Sequence, residues 1–329
     1  MKLSVVIFRM LLGVSLLVAS NVYGEEDSAG FDWLKVVIFA EHQTDYSGAF
    51  VYQYDNQVNT SRITHVIEKD GGYEKLESLD GPQREIVRHH GQIWSHLDHE
   101  HEMEQVGSQQ ARGKFPSLLP EQLSSLSANY RAKLSGYERV AGYNAQVVLF
   151  KPIDSLRYTH KIWVHTDSGL LLKAAVLDSK NKLVEQYAFT QLQIGGKIDR
   201  SWVKQGARTG LQGSGFHQQH DTSRVGFPVN SGWVADGIPA GYKKTMEIQR
   251  PMHGNHAPVT QIVFSDGLSA ISIFIELEDG DEDDVEGLSG RGAMNLYHKV
   301  VGKYLYTVVG EVPPQTVMRV LDSIRNNGS

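Results

Sequence analysis

The sequence predicts a mostly β protein of the α+β class, in which a large antiparallel unit precedes a smaller α+β unit. Between about residues 46 and 203, apolar and polar residues alternate and Gly and Asp turns separate the runs, as in strands joined by hairpins. A glycine-rich stretch follows, and about five more strands and a terminal helix come after it. The 329 residues also exceed what one hydrophobic core usually serves, so two domains are expected.

Two helical patterns accompany nine predicted strands in the first unit. Residues 28–42 begin at a candidate cap, Ser28, and repeat apolar side chains at helical spacing: Trp33, Leu34, Val37 and Ile38. The second pattern, SLLPEQLSSLSANY, interrupts the strands. The strands are expected within GAFVYQYDNQ, SRITHVIEKDGG, YEKLESLDG, REIVRHHG, QIWSHLD, NAQVVLFKP, THKIWVHTDSG, LLLKAAVLDSKN and KLVEQYAFTQLQI.

Several strands carry large apolar side chains on both faces, so both faces of the sheet need a cover. In AFVYQY, for example, Phe50 and Tyr52 point one way while Ala49 and Val51 point the other. One interpretation is that helices cover one face and curvature closes the other into an ordinary core. The other is a half-closed barrel that holds an apolar ligand, with these candidate wall residues: Trp33, Phe50, Tyr52, Trp94 and Trp163.

The N-terminus has the features of a secretory signal peptide, predicted over residues 1–24. Lys2 and Arg9 precede an apolar run, residues 10–19, that is too short to span a membrane comfortably, and small residues precede an acidic stretch. Cleavage would change the net charge from −6 to −8, so we expect no nucleic-acid binding. No cysteine is present, so neither disulfides nor acylation at an N-terminal Cys is expected. No later segment predicts a membrane span.

Five of the fourteen histidines lie in HHGQIWSHLDHEHE, residues 89–102. The flanking runs predict a hairpin that turns near His90, with His89 opposite Gln92 and Glu85 opposite His96. His89 and His96 would then lie about 13 Å apart along the strand and could not share a metal ion. A site at His99 and His101 is the alternative, and a solvated hairpin end is favoured over it.

No motif in the sequence indicates catalysis. The G-x-S-x-G and H-E-x-x-H patterns are absent, and no carboxylate pair stands out in an apolar context that would make a general acid. We therefore expect no enzyme activity, no cofactor and no metal. In the second unit, the loop GLSGRGAMN offers Arg291 and Asn295 as exposed polar contacts for a partner, beside sheet edges that could accept a strand. A simple turn is the alternative for this loop.

The second unit also contains strands within GYKKTMEIQR, PVTQIVFSDG, LSAISIFIELED, MNLYHKVVG and KYLYTVVGEV. VPPQTVMRVLDSIR then places proline at a helix start and these side chains on one face: Val317, Val320, Leu321 and Ile324. The predicted organisation is a signal peptide at 1–24, a large β domain at 25–205, a Gly-rich linker at 206–229 and a small α+β domain at 230–325.

Six stretches together resemble the RseB/MucB family: YSGAFVYQ, EKLESLDGPQREIVR, GWVADGIPAGYK, FSDGLSAISIFIE, GLSGRGAMNLYHKVVG and TVVGEVPPQTV. The resemblance spans nearly all of the mature chain and implies a half-open barrel like those of LolA and LolB, tied to a small α+β domain. It also implies a periplasmic regulator of the sigma-E response. Such a regulator binds the periplasmic part of the anti-sigma factor RseA or MucA and shields it from proteolysis until lipid or lipopolysaccharide releases it.

The main alternative function is a periplasmic lipid or lipoprotein carrier resembling LolA, which the large domain alone would suit. The second domain argues against it, because a simple carrier does not need one. The identity of the lipid and self-association into a homo-oligomer are left open by the sequence.

Overall fold

The structure is a computed structural model that describes residues 28–90, 92–97, 100–106, 115–116, 126–203, 226–250, 257–278 and 286–327. The predicted signal peptide, His99 and most of the predicted linker lie outside the described residues.

The N-terminal unit is an eleven-stranded antiparallel sheet. Its strands are β1 (Tyr46–Tyr54), β2 (Gln57–Glu68), β3 (Gly71–Ser78), β4 (Arg84–His89), β5 (Gln92–Leu97), β6 (Glu100–Val106), β7 (Tyr130–Val140), β8 (Tyr143–Pro152), β9 (Thr159–His165), β10 (Leu171–Leu177) and β11 (Leu183–Ile194). The spatial order is β6-β5-β4-β3-β2-β1-β11-β10-β9-β8-β7, so hairpins supply every pairing except that of β1 with β11.

This sheet is strongly curved but does not close. Tyr143 Oη of β8 donates to the carbonyl oxygen of Leu192 in β11 at 3.2 Å, although β9 and β10 lie between those strands. In a flat sheet three strand spacings would separate them by about 14 Å, which a tyrosine side chain does not reach. The edge strands β6 and β7 do not pair with each other among the described residues. The predicted fold class, with its half-open antiparallel sheet, is therefore confirmed.

Two faces of the sheet can be distinguished by register, because directly paired residues share a face and successive residues alternate. Tyr187 of β11 pairs with both Tyr52 and Ala174, and Ala174 pairs with Ile162. Phe50 lies two residues from Tyr52 and therefore shares their face. We call this the inner face and the opposite one the outer face.

Helices cover parts of both faces. Helix α1 (28–41) packs on the inner face, where the rings of Phe31 and Phe150 lie 5.7 Å apart. Leu34 and Val37 are fully buried there, as the amphipathic pattern predicted. A single helical turn at 201–203 packs Trp202 on the outer face against a small separate cluster. Within the second predicted helical segment, the structure describes only α2 (Leu126–Asn129) as helix.

The C-terminal unit contains a seven-stranded antiparallel sheet, a two-stranded sheet and one helix. The larger sheet is formed by β12 (Phe227–Pro228), β14 (Lys243–Arg250), β15 (Val259–Ser265), β16 (Ala270–Leu277), β17 (Gly287–Arg291), β18 (Met294–Val301) and β19 (Tyr304–Gly310). Its order is β12-β14-β15-β16-β19-β18-β17. The smaller sheet pairs β13 (Trp233–Ala235) with β20 (Ile324–Asn326). Helix α3 (Pro314–Leu321) packs Val317, Val320 and Leu321 into the core.

Three expectations for this unit require correction. The stretch GLSGRGAMN is not a loop, because β17 and β18 form a hairpin with only Gly292 and Ala293 in the turn. Ile324 lies in β20 and not in the helix, although it packs against the same core. Phe227–Pro228 falls within the predicted linker and pairs with β14 as an edge strand.

Candidate functional site

The loop between β8 and β9 lies at the junction of the two units and contacts the C-terminal unit. Arg157 in this loop is buried, and its Nε donates to Asp266 Oδ2 of the C-terminal unit at 2.7 Å. Its other nitrogens donate to Asp154 in the same loop and to the carbonyl oxygen of Ala240 across the junction. The guanidinium also lies 4.8 Å from the ring centre of Tyr242. One arginine therefore binds two segments of the C-terminal unit.

Asp266 is positioned by its own turn between β15 and β16. Its Oδ1 accepts the backbone N–H groups of Leu268 and Ser269, each at 3.0 Å. Its Oδ2 accepts the hydroxyl of Tyr130, at the start of β7, at 3.0 Å, in addition to Arg157 Nε. The buried carboxylate is thus held by both units, and burial beside Asp266 raises the pKa of Tyr130 well above its ordinary value.

Asn295 was expected to be exposed and the structure buries it at 7% exposure. Its side-chain nitrogen donates to the Tyr158 hydroxyl at 3.1 Å and to the Val312 carbonyl oxygen at 2.9 Å. The reason is that the β17–β18 turn faces the N-terminal unit. Arg291 remains exposed, and its guanidinium lies 4.6 Å from the ring centre of Tyr54 in β1.

A cavity of about 100 Å³ lies at this junction, between the inner face and the turns of the C-terminal unit. Most of its walls are apolar. The N-terminal unit contributes Phe150, Ile162, Leu171 and Ala174, and the C-terminal unit contributes Leu268 and Ala293.

Glu185 connects the two sides of this cavity. Its Oε2 accepts the Tyr52 hydroxyl at 2.9 Å and the backbone N–H of Ala293 at 3.0 Å. Burial and the nearby Glu185 carboxylate raise the pKa of Tyr52, which stays a neutral donor. Gly292 is required at the turn, because its φ is +59° and a Cβ would collide with the Glu185 oxygen.

Two further titratable groups line the cavity. Glu311 follows β19, and its backbone N–H donates to the carbonyl oxygen of Ala270 at 3.2 Å. The residue is exposed and lines the cavity, and its carboxylate forms no hydrogen bond or ion pair among the described residues. Poor solvation, followed by the charges of Glu185 and Asp266, raises the pKa of Glu311 to about 7. Burial lowers the pKa of His160 to about 4, so its imidazole is neutral at pH 7.

This arrangement corrects the expectation that no carboxylate pair lies in an apolar context. Glu185 and Glu311 are far apart in sequence and come together only when the C-terminal unit docks on the inner face. The sequence did contain a local signal, because Glu311 lies between Gly310 and Val312 in an otherwise apolar run that ends in two prolines. Nothing in the sequence indicated that the cavity is formed between the units.

Four of the five candidate wall residues have described side chains, and these lie on both faces of the sheet and on α1. Phe50 lies on the inner face, packed against Phe115 and Phe189, while Tyr52 stacks on the cavity-lining Tyr187 at 4.3 Å. Trp163 lies on the outer face, donates to Glu138 and has lysines above its ring. Trp33 is half-buried in α1, and Trp94 pairs in register with Val87. The side chain of Trp94 lies outside the described atoms.

The predicted register of the histidine-rich hairpin is confirmed, with His89 opposite Gln92 and Glu85 opposite His96. His89 stacks on Tyr73 with ring centres 3.7 Å apart and is bonded to the Gly72 carbonyl oxygen. Over the described residues, no three His, Asp or Glu side chains cluster as metal ligands. The side chain of His101 is not described, so the preference for a solvated hairpin end over a metal site at His99 and His101 stays a prediction.

Comparison with known proteins gives two family matches that together span both units. A model described as the MucB/RseB N-terminal domain matches residues 30–207, and one described as the MucB/RseB C-terminal domain matches residues 228–325. The sigma factor AlgU regulatory protein MucB of Pseudomonas aeruginosa is 30% identical over 89% of this chain and 90% of its own length. The sigma-E factor regulatory protein RseB of Haemophilus influenzae is 24% identical over 95% of this chain and 96% of its own length.

Solved structures agree with these matches. The chain is similar to one in the complex structure of Pseudomonas aeruginosa MucA/MucB, with a TM-score of 0.72, 29% identity, and coverage of 92% of this chain and 100% of that one. A crystal structure of MucB in complex with MucA(peri) gives a TM-score of 0.69 at 29% identity, covering 91% and 99%. These relatives are named as regulatory proteins or as their complexes. No helix in the described parts of the chain is long and apolar enough to cross a membrane.

Proposed function

Because the chain belongs to the MucB/RseB family, we propose that it is a periplasmic regulator that binds the periplasmic segment of a membrane-anchored anti-sigma factor. By occupying that segment it shields the anti-sigma factor from regulated proteolysis, so that the sigma-E-type response stays restrained. The observation that carries the proposal is the match, over both units together, to a chain solved in complex with MucA. The predicted signal peptide supports export.

The β17 edge of the C-terminal sheet is the docking surface that we favour. A two-residue turn joins the register partners Arg291 and Met294, and in such hairpins the closing pair exchanges both backbone hydrogen bonds. Because bonded and non-bonded pairs then alternate, Gly290 and Leu288 direct their N–H and C=O groups toward the free edge. Leu288 is also half exposed, so the edge offers both backbone groups and apolar surface to an added strand.

Of the two partner contacts expected from the sequence, only one lies on this docking surface. Arg291 ends β17, remains exposed and is retained as a partner contact. Asn295 is not retained, because its side chain is committed to bonds inside the junction.

Binding can be tested with the full mature chain and the periplasmic segment of the anti-sigma factor from the same organism. Isothermal titration is expected to give saturable binding with Kd of about 1 µM or tighter. No heat of binding at tenfold higher concentrations would contradict the proposal.

Release by lipid is the second part of the proposal. Tyr52 stacks on the cavity-lining Tyr187 and donates to Glu185, which also accepts the backbone N–H of Ala293. A ligand that inserts beside these side chains would separate the C-terminal unit from the inner face. Adding lipopolysaccharide or a fatty-acid probe to the complex is expected to dissociate the anti-sigma segment. Saturable lipid binding without any segment binding would favour the carrier function instead.

A further inference from the structure

The inter-unit cavity has a chemical character that the proposed function does not use. Apolar side chains form most of its surface, two carboxylates face it, and no lysine or arginine lines it among the described residues. Its volume of about 100 Å³ is smaller than the engineered cavity of about 150 Å³ that holds benzene. It therefore accepts a group of roughly five non-hydrogen atoms and not a whole acyl chain.

The two carboxylates differ in what already binds them. Glu185 accepts two hydrogen bonds, from Tyr52 and from the backbone of Ala293. The Glu311 carboxylate forms no hydrogen bond and no ion pair among the described residues, and a carboxylate beside apolar walls and other carboxylates is stabilised by a cation brought to it. An anionic ligand would instead be repelled by both groups.

His160 supplies a second polar group without a partner. Its Nε2 is buried and has no hydrogen-bond partner in the described structure, while its side chain lines the same cavity. A neutral imidazole has one nitrogen that accepts a hydrogen bond. An ammonium group carries three donors and no acceptor, so it can satisfy a carboxylate and such a nitrogen together.

We propose that this cavity binds an alkylammonium group, meaning a short aliphatic stem that ends in a primary ammonium. The stem would contact Ile162, Ala174 and Leu268, and the ammonium would pair with Glu311. Two sources share this chemistry: a lysine side chain of a bound protein segment, and a free small amine. Because the walls come from both units, either one would stabilise their docked arrangement.

The test is a titration of the full mature chain, followed by NMR chemical shifts, with n-butylamine at pH 8. Saturable binding with Kd on the order of millimolar is expected, because so small a ligand forms few contacts. 1-Butanol should bind more weakly, and butyrate should not bind measurably. Equal binding of all three compounds would overturn the proposal. The absence of butylamine binding at about 50 mM would overturn it as well.

Two variants locate the binding. Glu311→Gln keeps the shape of the side chain and removes its charge, so the butylamine Kd should rise about tenfold or more. Ala174→Leu should fill the cavity and abolish binding without a change in charge. The matched control Asp167→Asn removes the same charge at the exposed β9–β10 turn and should leave Kd unchanged. An unchanged Kd in Glu311→Gln would place the amine elsewhere and refute the assignment.

A third titration distinguishes a lysine side chain from a free amine as the occupant of the cavity. Nα-acetyl-lysine amide carries the lysine stem on a blocked backbone, and its norleucine analogue lacks only the ammonium. Binding of the lysine compound, with none by the norleucine compound, supports a protein side chain as the occupant. Binding of butylamine alone supports a free amine. Since no anti-sigma segment is present in these titrations, their outcome is separate from that of the proposed function.

Discussion

At the residue scale, the junction of the units contains an ion pair, Arg157 with Asp266, and the Glu311 carboxylate. Arg157 and Asp266 have side chains that are 1% and 0% exposed, and each satisfies the other. Glu311 has no such partner, and its raised pKa records the free-energy penalty of ionising it there. The sequence predicted neither arrangement, because Arg157 and Asp266 belong to different units, and so do Glu311 and the nearby Glu185.

Breaking the Arg157–Asp266 pair should destabilise the protein strongly. Arg157→Met leaves the Asp266 carboxylate buried without its cation, so the free energy of unfolding should fall by about 3–5 kcal/mol in urea denaturation. The double variant with Arg157→Met and Asp266→Asn should lose less free energy of unfolding than Arg157→Met alone. The reason is that Asn keeps the oxygen that accepts the turn's N–H groups and removes the unpaired charge. A double variant that loses the sum of the two single losses would contradict this explanation.

Glu311 should make stability depend on pH. Its folded-state pKa of about 7 exceeds the ordinary 4.5, so the folded protein retains a proton that the unfolded chain releases, and stability falls as pH rises between those values. Glu311→Gln should match the parent near pH 4.5 and exceed it by about 1–2 kcal/mol at pH 8, allowing for side-chain exposure. The charged and titratable groups near it are Glu185, Asp266, Tyr187 and His160.

Urea denaturation of the parent and of Glu311→Gln at both pH values measures this difference. An equal stability difference at pH 4.5 and pH 8 would show that Glu311 does not titrate in this window.

At the element scale, the sequence predicted interior strands well and edge strands poorly. All nine predicted strands of the N-terminal unit are present, and the hairpin register at His89 is confirmed. The two missed strands, β6 and β7, are the two edges of the sheet. In β6, EHEMEQV, the charged side chains that discourage association with other sheets also remove the alternation by which strands are recognised. In contrast, β7 does alternate at YRAKL, but it starts at Tyr130, the last residue of the predicted helical pattern SLLPEQLSSLSANY.

The missed strand β17 is likewise an edge, and it carries a direct test of docking by strand addition. Leu288→Pro removes an N–H that faces the free edge and leaves the bonds to β18 intact, so Kd for the anti-sigma segment should rise at least about tenfold while the fold persists. Leu288→Ala is the matched control, because it removes the apolar side chain but keeps the N–H. If both variants bind equally, apolar contact and not strand addition holds the segment.

At the scale of the whole molecule, the division into a large β unit and a small α+β unit followed from alternation, a glycine-rich stretch and the terminal helix. The docking of the units did not follow from sequence, because it depends on long-range contacts such as those of Arg157 and Glu185. The candidate site was missed for the same reason. The same contacts place the β8–β9 loop and the β17–β18 turn at the junction. In the part of the chain that the structure describes, no strand pairs with the outer edge of β17.

We propose that the full chain shields an anti-sigma segment from proteolysis, and a cleavage assay measures this shielding. The periplasmic segment of the cognate anti-sigma factor is incubated with its initiating protease, with and without a saturating amount of this protein, and the initial cleavage rate is measured. We expect the protein to slow cleavage at least about tenfold, because a bound segment is cleaved mainly while it is dissociated. An unchanged cleavage rate at saturation, with the segment demonstrably bound, would show that the protein does not shield it.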